Sequence, residues 1–123
     1  VAILIDDDAD DLEILKDIIS MIDESIVCLS FIYPEQAIIA ISNGIIAPDF
    51  LFIDINMPKM NGDKVLKHIR KDHGFDHTVI TMFSTSMPEN VAKALAESGA
   101  NFTYQKPARF EDYNKILTTV LGV

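Results

Sequence analysis

The sequence predicts an α/β fold, with a single doubly wound parallel sheet of five strands and helices on both faces. The first observation behind this prediction is a repeated alternation. Short apolar blocks, too short to be helices, alternate with longer segments whose apolar residues recur every three or four positions. The second is size, because 123 residues with 49% apolar content make one domain that can bury a core without disulfides. We therefore expect one domain over residues 1–123.

The first two strands and helices are predicted before residue 45. Ala2–Ile5 is a purely apolar block typical of a buried strand, and a helix is expected from Asp10 with acids in its first turn, where the helix dipole favours them. Ile26–Ile32 is apolar and partly β-branched, which predicts the second strand. Pro34 suits the first turn of a second helix, which Asn43-Gly44 would end. The residues expected to face the core from these helices are Leu12, Leu15, Ile18, Ile19, Ile22, Ala37, Ile38 and Ile41.

The middle of the chain predicts two more strands around a third helix. Phe50–Ile55 is the third strand, and Asp54 is its one polar residue. Pro58 and Gly62 are interpreted as turn residues that shape the loop before the helix. Thr78–Phe83 is the fourth strand. The third helix would bury Val65, Leu66 and Ile69.

The last third predicts a helix, a strand and a closing helix. The helix runs from about Pro88 to Ser98, where Gly99 stops it, and Phe102–Gln105 is a short fifth strand. Five strands alternating with helices imply right-handed crossovers, and the commonest sheet order at this length is the flavodoxin-like order 2-1-3-4-5. The closing helix would face the core through Phe110, Tyr113, Leu117 and Val120 or Leu121.

Charge and composition exclude several classes of function. The net charge of −9 argues against direct binding of nucleic acid, because no basic stripe is present to neutralise phosphates. No apolar run is long enough to span a membrane, and no signal peptide is visible, so we expect a cytoplasmic protein. The single cysteine, Cys28, lies in an apolar stretch and is expected to be a buried reduced thiol.

Polar residues end four of the predicted strands. Asp6 and Asp7 follow the first strand, and Asp54 lies at the end of the third. Ser84-Thr85 follow the fourth strand and Lys106-Pro107 the fifth. In a parallel sheet of this order these ends share one edge, where ligands bind.

This edge is predicted to hold Mg²⁺. Two carboxylates about 4 Å apart repel each other by roughly 4 kcal/mol at an effective dielectric constant near 20, so a cation or protons must compensate them. Asp7 and Asp54 would bind Mg²⁺ directly, Asp6 through water, and Asn56 through its backbone carbonyl. For a phosphoryl group on Asp54, Lys106 would supply positive charge, and the Ser84 hydroxyl and Thr85 amide would donate hydrogen bonds.

Together these motifs resemble the response-regulator receiver family. The matching segments are IDDD at residues 5–8, DINMPKMNG at residues 54–62, Ser84-Thr85 and Lys106-Pro107, so the resemblance covers essentially the whole chain. It implies a five-stranded parallel fold, with Asp54 as phosphoacceptor and Lys106 and Ser84 as its catalytic partners. The implied metal ligands are Asp6, Asp7, Asp54 and Asn56.

The resemblance also implies partners. The phosphodonor would be a sensor histidine kinase or a phosphotransfer protein, and the output partner would bind the face formed by the fourth helix, fifth strand and fifth helix. Small residues in the fourth helix favour close approach there, including formation of a homodimer. In this chain Thr85 narrows the approach to the phosphoryl site, and Thr103 occupies a position that is often aromatic in the family. The form of the switch is therefore left open.

Other interpretations of these residues are less consistent with the pattern. Asp8, Asp10 and Asp11 are interpreted as helix-start acids, and an EF-hand is excluded because its glycine and closing glutamate are missing. A phosphatase with an aspartyl-phosphate intermediate would need an acid where Asn56 stands, so the chain is not expected to be a turnover enzyme. A scaffold that never accepts phosphate would not be expected to keep the full set of acids, hydroxyl and lysine.

Overall fold

The computed structural model describes residues 1–57 and 60–123 and contains one sheet of five parallel strands. The strand order is β2-β1-β3-β4-β5, so the predicted fold class and strand order are confirmed. The strands are β1 (Ala2–Ile5), β2 (Cys28–Phe31), β3 (Phe50–Asp54), β4 (Val79–Ser84) and β5 (Phe102–Gln105). The helices are α1 (Ala9–Ile22), α2 (Pro34–Ser42), α3 (Gly62–Arg70), α4 (Glu89–Glu97) and α5 (Phe110–Leu121).

Differences from the predicted boundaries follow from strand pairing. The second strand was expected over Ile26–Ile32 but is shorter, because β2 lies at the sheet edge and pairs only with the four residues of β1. Strand β4 lies one residue later than predicted, at Val79–Ser84 instead of Thr78–Phe83, and its last residue, Ser84, pairs with Gln105 of β5. A short 3-10 turn at His73–Phe75, which the sequence did not predict, precedes β4.

The two faces of the sheet bury separate cores. Helices α2, α3 and α4 cover one face, where Ile53, Leu66 and Met82 are buried. Helices α1 and α5 cover the other face, where Phe52, Phe83 and Leu117 are buried. Alternation of side chains along each strand sends successive residues into different cores, so the central strands β1, β3 and β4 are apolar except for Asp54, Thr81 and Ser84.

Four expected core residues are more exposed than predicted: Ile22, Cys28 and Ile38 are only partly buried, and Phe110 is exposed. Phe110 is 49% exposed because it is the first residue of α5, before the helix reaches the sheet. Cys28 is free and only partly buried, since it lies on the edge strand β2, and its partial burial raises the pKa of its thiol. Within the described residues, no helix is sufficiently long and apolar to cross a membrane.

Thr81, in the middle of β4, carries a fully buried hydroxyl with no hydrogen-bond partner among the described residues. Thr81→Val keeps the side-chain shape and removes this polar atom, so we expect it to raise the free energy of unfolding by about 1 kcal/mol. Thr78→Val is the matched control, because the Thr78 hydroxyl donates to the Pro48 carbonyl at 2.8 Å. We expect Thr78→Val to lower the free energy of unfolding by about 1–2 kcal/mol. Urea denaturation measures both, and changes of the same sign would contradict this account.

Candidate functional site

Three carboxylates meet at the carboxyl-terminal edge of the sheet. Asp6 and Asp7 directly follow β1, and Asp54 is the last residue of β3, which is hydrogen-bonded to β1. An oxygen atom from each of the three lies within 4.8 Å of the other two. Asp6 is 3% and Asp54 4% exposed, whereas Asp7 is exposed. The cluster is therefore closed toward the core and open to solvent beside Asp7.

Burial disfavours the charged forms of the two buried carboxylates, Asp6 and Asp54, and so raises their pKa values. Burial raises the pKa of Asp54 to about 6, and the charge of Asp6 adds to this rise, while Lys106 opposes it. Burial also raises the pKa of Asp6, although the Asp8 amide donates to its Oδ1 at 3.0 Å. A cation placed between these groups would relieve both costs, and carboxylate oxygens are ligands that Mg²⁺ prefers.

Lys106 reaches into the acid cluster from the end of β5. Its backbone amide donates to the Ser84 carbonyl at 2.7 Å, which fixes its position next to β4. Its Nζ lies 3.0 Å from Asp6 Oδ2 and 3.5 Å from Asp54 Oδ1. Burial opposes the charge of Lys106, but hydrogen bonds to Asp11 and Asp6 outweigh it, so its pKa lies above the ordinary value. The lysine is therefore charged and within reach of a group on Asp54.

Asp11 is a member of this cluster that the sequence analysis missed. It was interpreted as a helix-start acid, but its Oδ2 lies 2.8 Å from Lys106 Nζ, the shortest of the lysine's three carboxylate contacts. Its spacing contained the signal, because Asp11 precedes Leu15 and Ile18 by four and seven residues and so shares the buried face of α1. The helix-start interpretation holds for Asp8, whose side chain accepts hydrogen bonds from the amides of Asp10 and Asp11.

The Ser84 hydroxyl is hydrogen-bonded to the side chain of Asn56, two residues after Asp54. Ser84 Oγ donates to the side-chain Oδ1 of Asn56 at 2.7 Å, and the backbone amide of Asn56 donates to Asp54 Oδ1 at 3.4 Å. Ser84 is 4% exposed, whereas Asn56 and Thr85 are exposed. A role for Asn56 was predicted only through its backbone carbonyl, and the contact of its side chain with Ser84 was not predicted.

The loop after β3 packs closely against the strand end. Gly62 donates from its amide to the Ile55 carbonyl at 3.0 Å. A Cβ at this position would collide with the Asp54 carbonyl and lie 2.9 Å from Ile55 Cα, so only glycine allows this approach. The turn role predicted for Gly62 therefore has a steric reason, whereas that predicted for Pro58 lies outside the described residues.

Aromatic side chains pack beneath the site on the α1–α5 face. Phe83, whose register partner in β3 is Asp54, has its ring centroid 6.2 Å from that of Tyr104 and 6.1 Å from that of Tyr113. Thr103 pairs with Met82, so Thr103 and Tyr104 project to opposite faces of the sheet. Tyr104 thus belongs to the α1–α5 core, and Thr103 leaves the position toward α4 without an aromatic ring.

Comparison with protein families and curated proteins gives a consistent result. A family model described as the response regulator receiver domain matches residues 2–118. Hybrid signal transduction histidine kinase D of Dictyostelium discoideum is 31% identical over 67 residues, which are 54% of this chain and 4% of that protein. Regulator of RpoS of Escherichia coli (strain K12) is 37% identical over 75 residues, which are 61% of this chain and 21% of that protein. The matched stretches thus span about a fifth or less of these two relatives.

Solved structures share the whole fold. The phosphorylated cyanobacterial phytochrome response regulator RcpA matches with a TM-score of 0.86 at 19% identity, covering 98% of this chain and 92% of that chain. A chain of the CheX-CheY-BeF3-Mg+2 complex from Borrelia burgdorferi matches with a TM-score of 0.80 at 25% identity, covering 98% and 87%. The sheet order and helix arrangement described above are therefore those of a large group of known structures.

Proposed function

The chain belongs to the response regulator receiver domain family, and from this premise we propose that it accepts a phosphoryl group on Asp54 with Mg²⁺ bound beside it. The observation that carries the proposal is the position of Asp54 within 4.8 Å of the oxygens of Asp6 and Asp7 and 3.5 Å from Lys106 Nζ. The ionised forms of buried acids with raised pKa values are stabilised by a cation. A phosphoacceptor also needs positive charge next to the arriving phosphate, whose oxygens are negative.

The proposed metal ligands are the carboxylates of Asp7 and Asp54, the Asn56 backbone carbonyl, and Asp6 through water. This all-oxygen donor set suits a hard divalent ion that keeps several of its waters. When bound, Mg²⁺ would neutralise negative charge on the phosphoryl oxygens and on the carboxylates around them. The exposed side at Asp7 leaves room for the ion and its waters.

Phosphoryl transfer would use the remaining residues in defined roles. An oxygen of the Asp54 carboxylate attacks the phosphorus in line, forming a P–O bond as the P–N bond of a donor phosphohistidine breaks. Lys106 moves toward the transferred group and pairs with one of its oxygens. Ser84 exchanges its bond to Asn56 for one to the phosphoryl group, and the Thr85 amide donates to another oxygen. That exchange couples phosphorylation to the ends of β4 and β5.

Donor and output partners are proposed from the family. The match to a hybrid histidine kinase supports a phosphohistidine donor, on a sensor kinase or a phosphotransfer protein.

The face formed by α4, β5 and α5 is the proposed output surface and homodimer interface, where Ala94 and Ala96 are exposed. We expect Ala94→Arg to block a phosphorylation-dependent dimer in analytical ultracentrifugation, and an unchanged dimer would exclude this face. Steady turnover of a separate phosphomonoester is not expected, because Asn56 cannot act as a general acid.

Acetyl phosphate with Mg²⁺ tests the phosphoacceptor directly. We expect intact mass spectrometry to show one added phosphoryl group on the wild-type chain and none when Mg²⁺ is chelated. Asp54→Asn should stay unmodified, whereas Asp17→Asn, which removes an exposed carboxylate of α1, should be modified like the wild type. An unmodified wild type, or equal modification of Asp54→Asn, would exclude Asp54 as the acceptor.

A further inference from the structure

Helix α3 is basic although the chain as a whole is acidic. Four of the ten Lys and Arg residues lie in residues 60–71, which contain one acid, Asp63. Arg70 is committed to structure, because its guanidinium donates to the carbonyls of Phe75, Thr78 and Gly99. Lys64, Lys67 and Lys71 lie exposed on the surface as a basic row in a protein of net charge −9, and Lys67 pairs with Asp63 at 3.1 Å.

A groove with an apolar floor runs between α2 and this basic row. It consists of two adjoining open cavities of about 590 and 300 Å³, and both are lined by His68 and Lys71. The floor includes Ile38 of α2, Met60 before α3 and Phe75 after it, all half-buried. Lys64, Lys67 and Lys71 form the rim on the α3 side, and one acid, Asp72, also lines the larger cavity. The groove therefore combines apolar depth with a predominance of positive charge at one edge.

Helix α2 leaves apolar surface exposed beside the groove. Glu35 is the one charged residue among its nine, and a surface helix of this composition normally has a covered outer face. Ile39 in its middle is 58% exposed, and Ile45 just after the helix is 75% exposed. The two helices therefore differ sharply, since α2 offers exposed apolar area and α3 offers positive charge.

We propose that the α2–α3 groove binds an acidic amphipathic helix of a partner protein. Apolar side chains on one face of such a helix, spaced three, four and seven residues apart, would fill the floor from Ile38 to Phe75. Its carboxylates would face the row of Lys64, Lys67 and Lys71, which gives specificity and speeds encounter. This surface is distinct from both the acid cluster and the α4–β5–α5 face, so the proposal does not depend on phosphorylation of Asp54.

The chemistry of the groove favours this occupant over other anionic ones. A membrane of anionic lipids would meet a concave groove, and the remaining strongly acidic surface of the protein would be repelled by the lipid headgroups. A nucleic acid would place charged phosphates against the apolar floor, which offers them no hydrogen-bond donors. A helix with one apolar and one acidic face matches both parts of the groove.

Two synthetic peptides with the same leucine ridge test the proposal. Both form about three helical turns, and one carries glutamate and the other lysine at all remaining positions. We expect the acidic peptide to shift the amide NMR signals of α2 and α3 in the ¹⁵N-labelled protein, and the basic peptide to leave them unchanged. Lys64→Glu/Lys71→Glu should weaken binding of the acidic peptide by about tenfold or more.

The matched control separates a local site from general attraction. Lys93→Glu/Lys115→Glu makes the same change in net charge on exposed residues of α4 and α5, and we expect it to alter affinity less than about twofold. The proposal is wrong if both double variants weaken binding of the acidic peptide equally. It is also wrong if the shifted amide signals lie outside α2 and α3, or if the acidic peptide at millimolar concentration shifts no amide signal. Binding to phosphatidylglycerol vesicles without binding to the peptide would replace it with a membrane surface.

Discussion

Asp54→Asn is expected to stabilise the metal-free protein above pH 6 while removing its ability to accept a phosphoryl group. The pKa of Asp54 is raised to about 6 in the folded protein, mainly by burial and then by the charge of Asp6. In the unfolded chain the pKa of the same group lies near its ordinary value of 3.8. Folding therefore takes up a proton at Asp54 between these pH values.

The sign of the effect follows from this proton uptake. Because the folded state binds more protons in this window, the free energy of unfolding falls as pH rises from about 4 to 6, and the penalty is fully present above pH 6. A shift of this size corresponds to about 3 kcal/mol at most, so we expect Asn at this position to gain about 1–3 kcal/mol at pH 8 and little at pH 4. Asp6, whose pKa is also raised by burial, keeps part of the pH dependence in the variant.

Urea denaturation in EDTA across pH 4–8 measures this difference. Asp17→Asn serves as the control, because it removes an exposed carboxylate of the same type from α1. Saturating Mg²⁺ should stabilise the wild type more than Asp54→Asn, since the variant lacks one of the proposed ligands. Equal stabilities at pH 8, or a larger gain at pH 4 than at pH 8, would show that burial does not strain this carboxylate.

The placement of the site could be predicted because topology determines it. In a parallel sheet of order 2-1-3-4-5, the residues that end β1 and β3 are neighbours whatever their side chains do. The structure accordingly brings Asp6, Asp7 and Asp54 together, with Lys106 entering from β5. No side-chain detail was needed for that part of the prediction.

The contacts that could not be predicted from the sequence depend on side-chain conformation and on the rotation of a helix about its axis. Asp11 satisfies the helix dipole in any helix that starts there, and only its rotation toward β5 brings it to Lys106. The bond from Ser84 to Asn56 joins the last residue of β4 to the loop after β3, 28 residues away along the chain, and their separation is fixed by pairing of β3 with β4. Phe110 was wrongly assigned to the core because apolar spacing does not show where a helix first meets the sheet.

Lys106→Met is expected to lower phosphoryl incorporation and raise Mg²⁺ affinity. Its Nζ contacts three carboxylates, from Asp6, Asp11 and Asp54, and its side chain is 15% exposed. The ammonium group of Lys106 stabilises negative charge on the incoming phosphoryl group, so phosphoryl incorporation from acetyl phosphate should fall about 100-fold without it. Lys106→Met also removes a competitor for the same oxygens, so Mg²⁺ should bind about tenfold more tightly in calorimetry.

The opposite directions of these two changes distinguish a charge that acts on the phosphate from one that merely organises the acids. Metal-free Lys106→Met should also lose about 1–3 kcal/mol of stability at pH 8, because the buried carboxylates of Asp6 and Asp54 remain without their cation, and Mg²⁺ should restore most of it. Lys93→Met on α4, an exposed lysine, should change none of the three measurements. If Mg²⁺ affinity fell together with incorporation, the lysine would be holding the carboxylates in place for the ion. Unchanged incorporation would mean that positive charge at the end of β5 contributes nothing to the transfer.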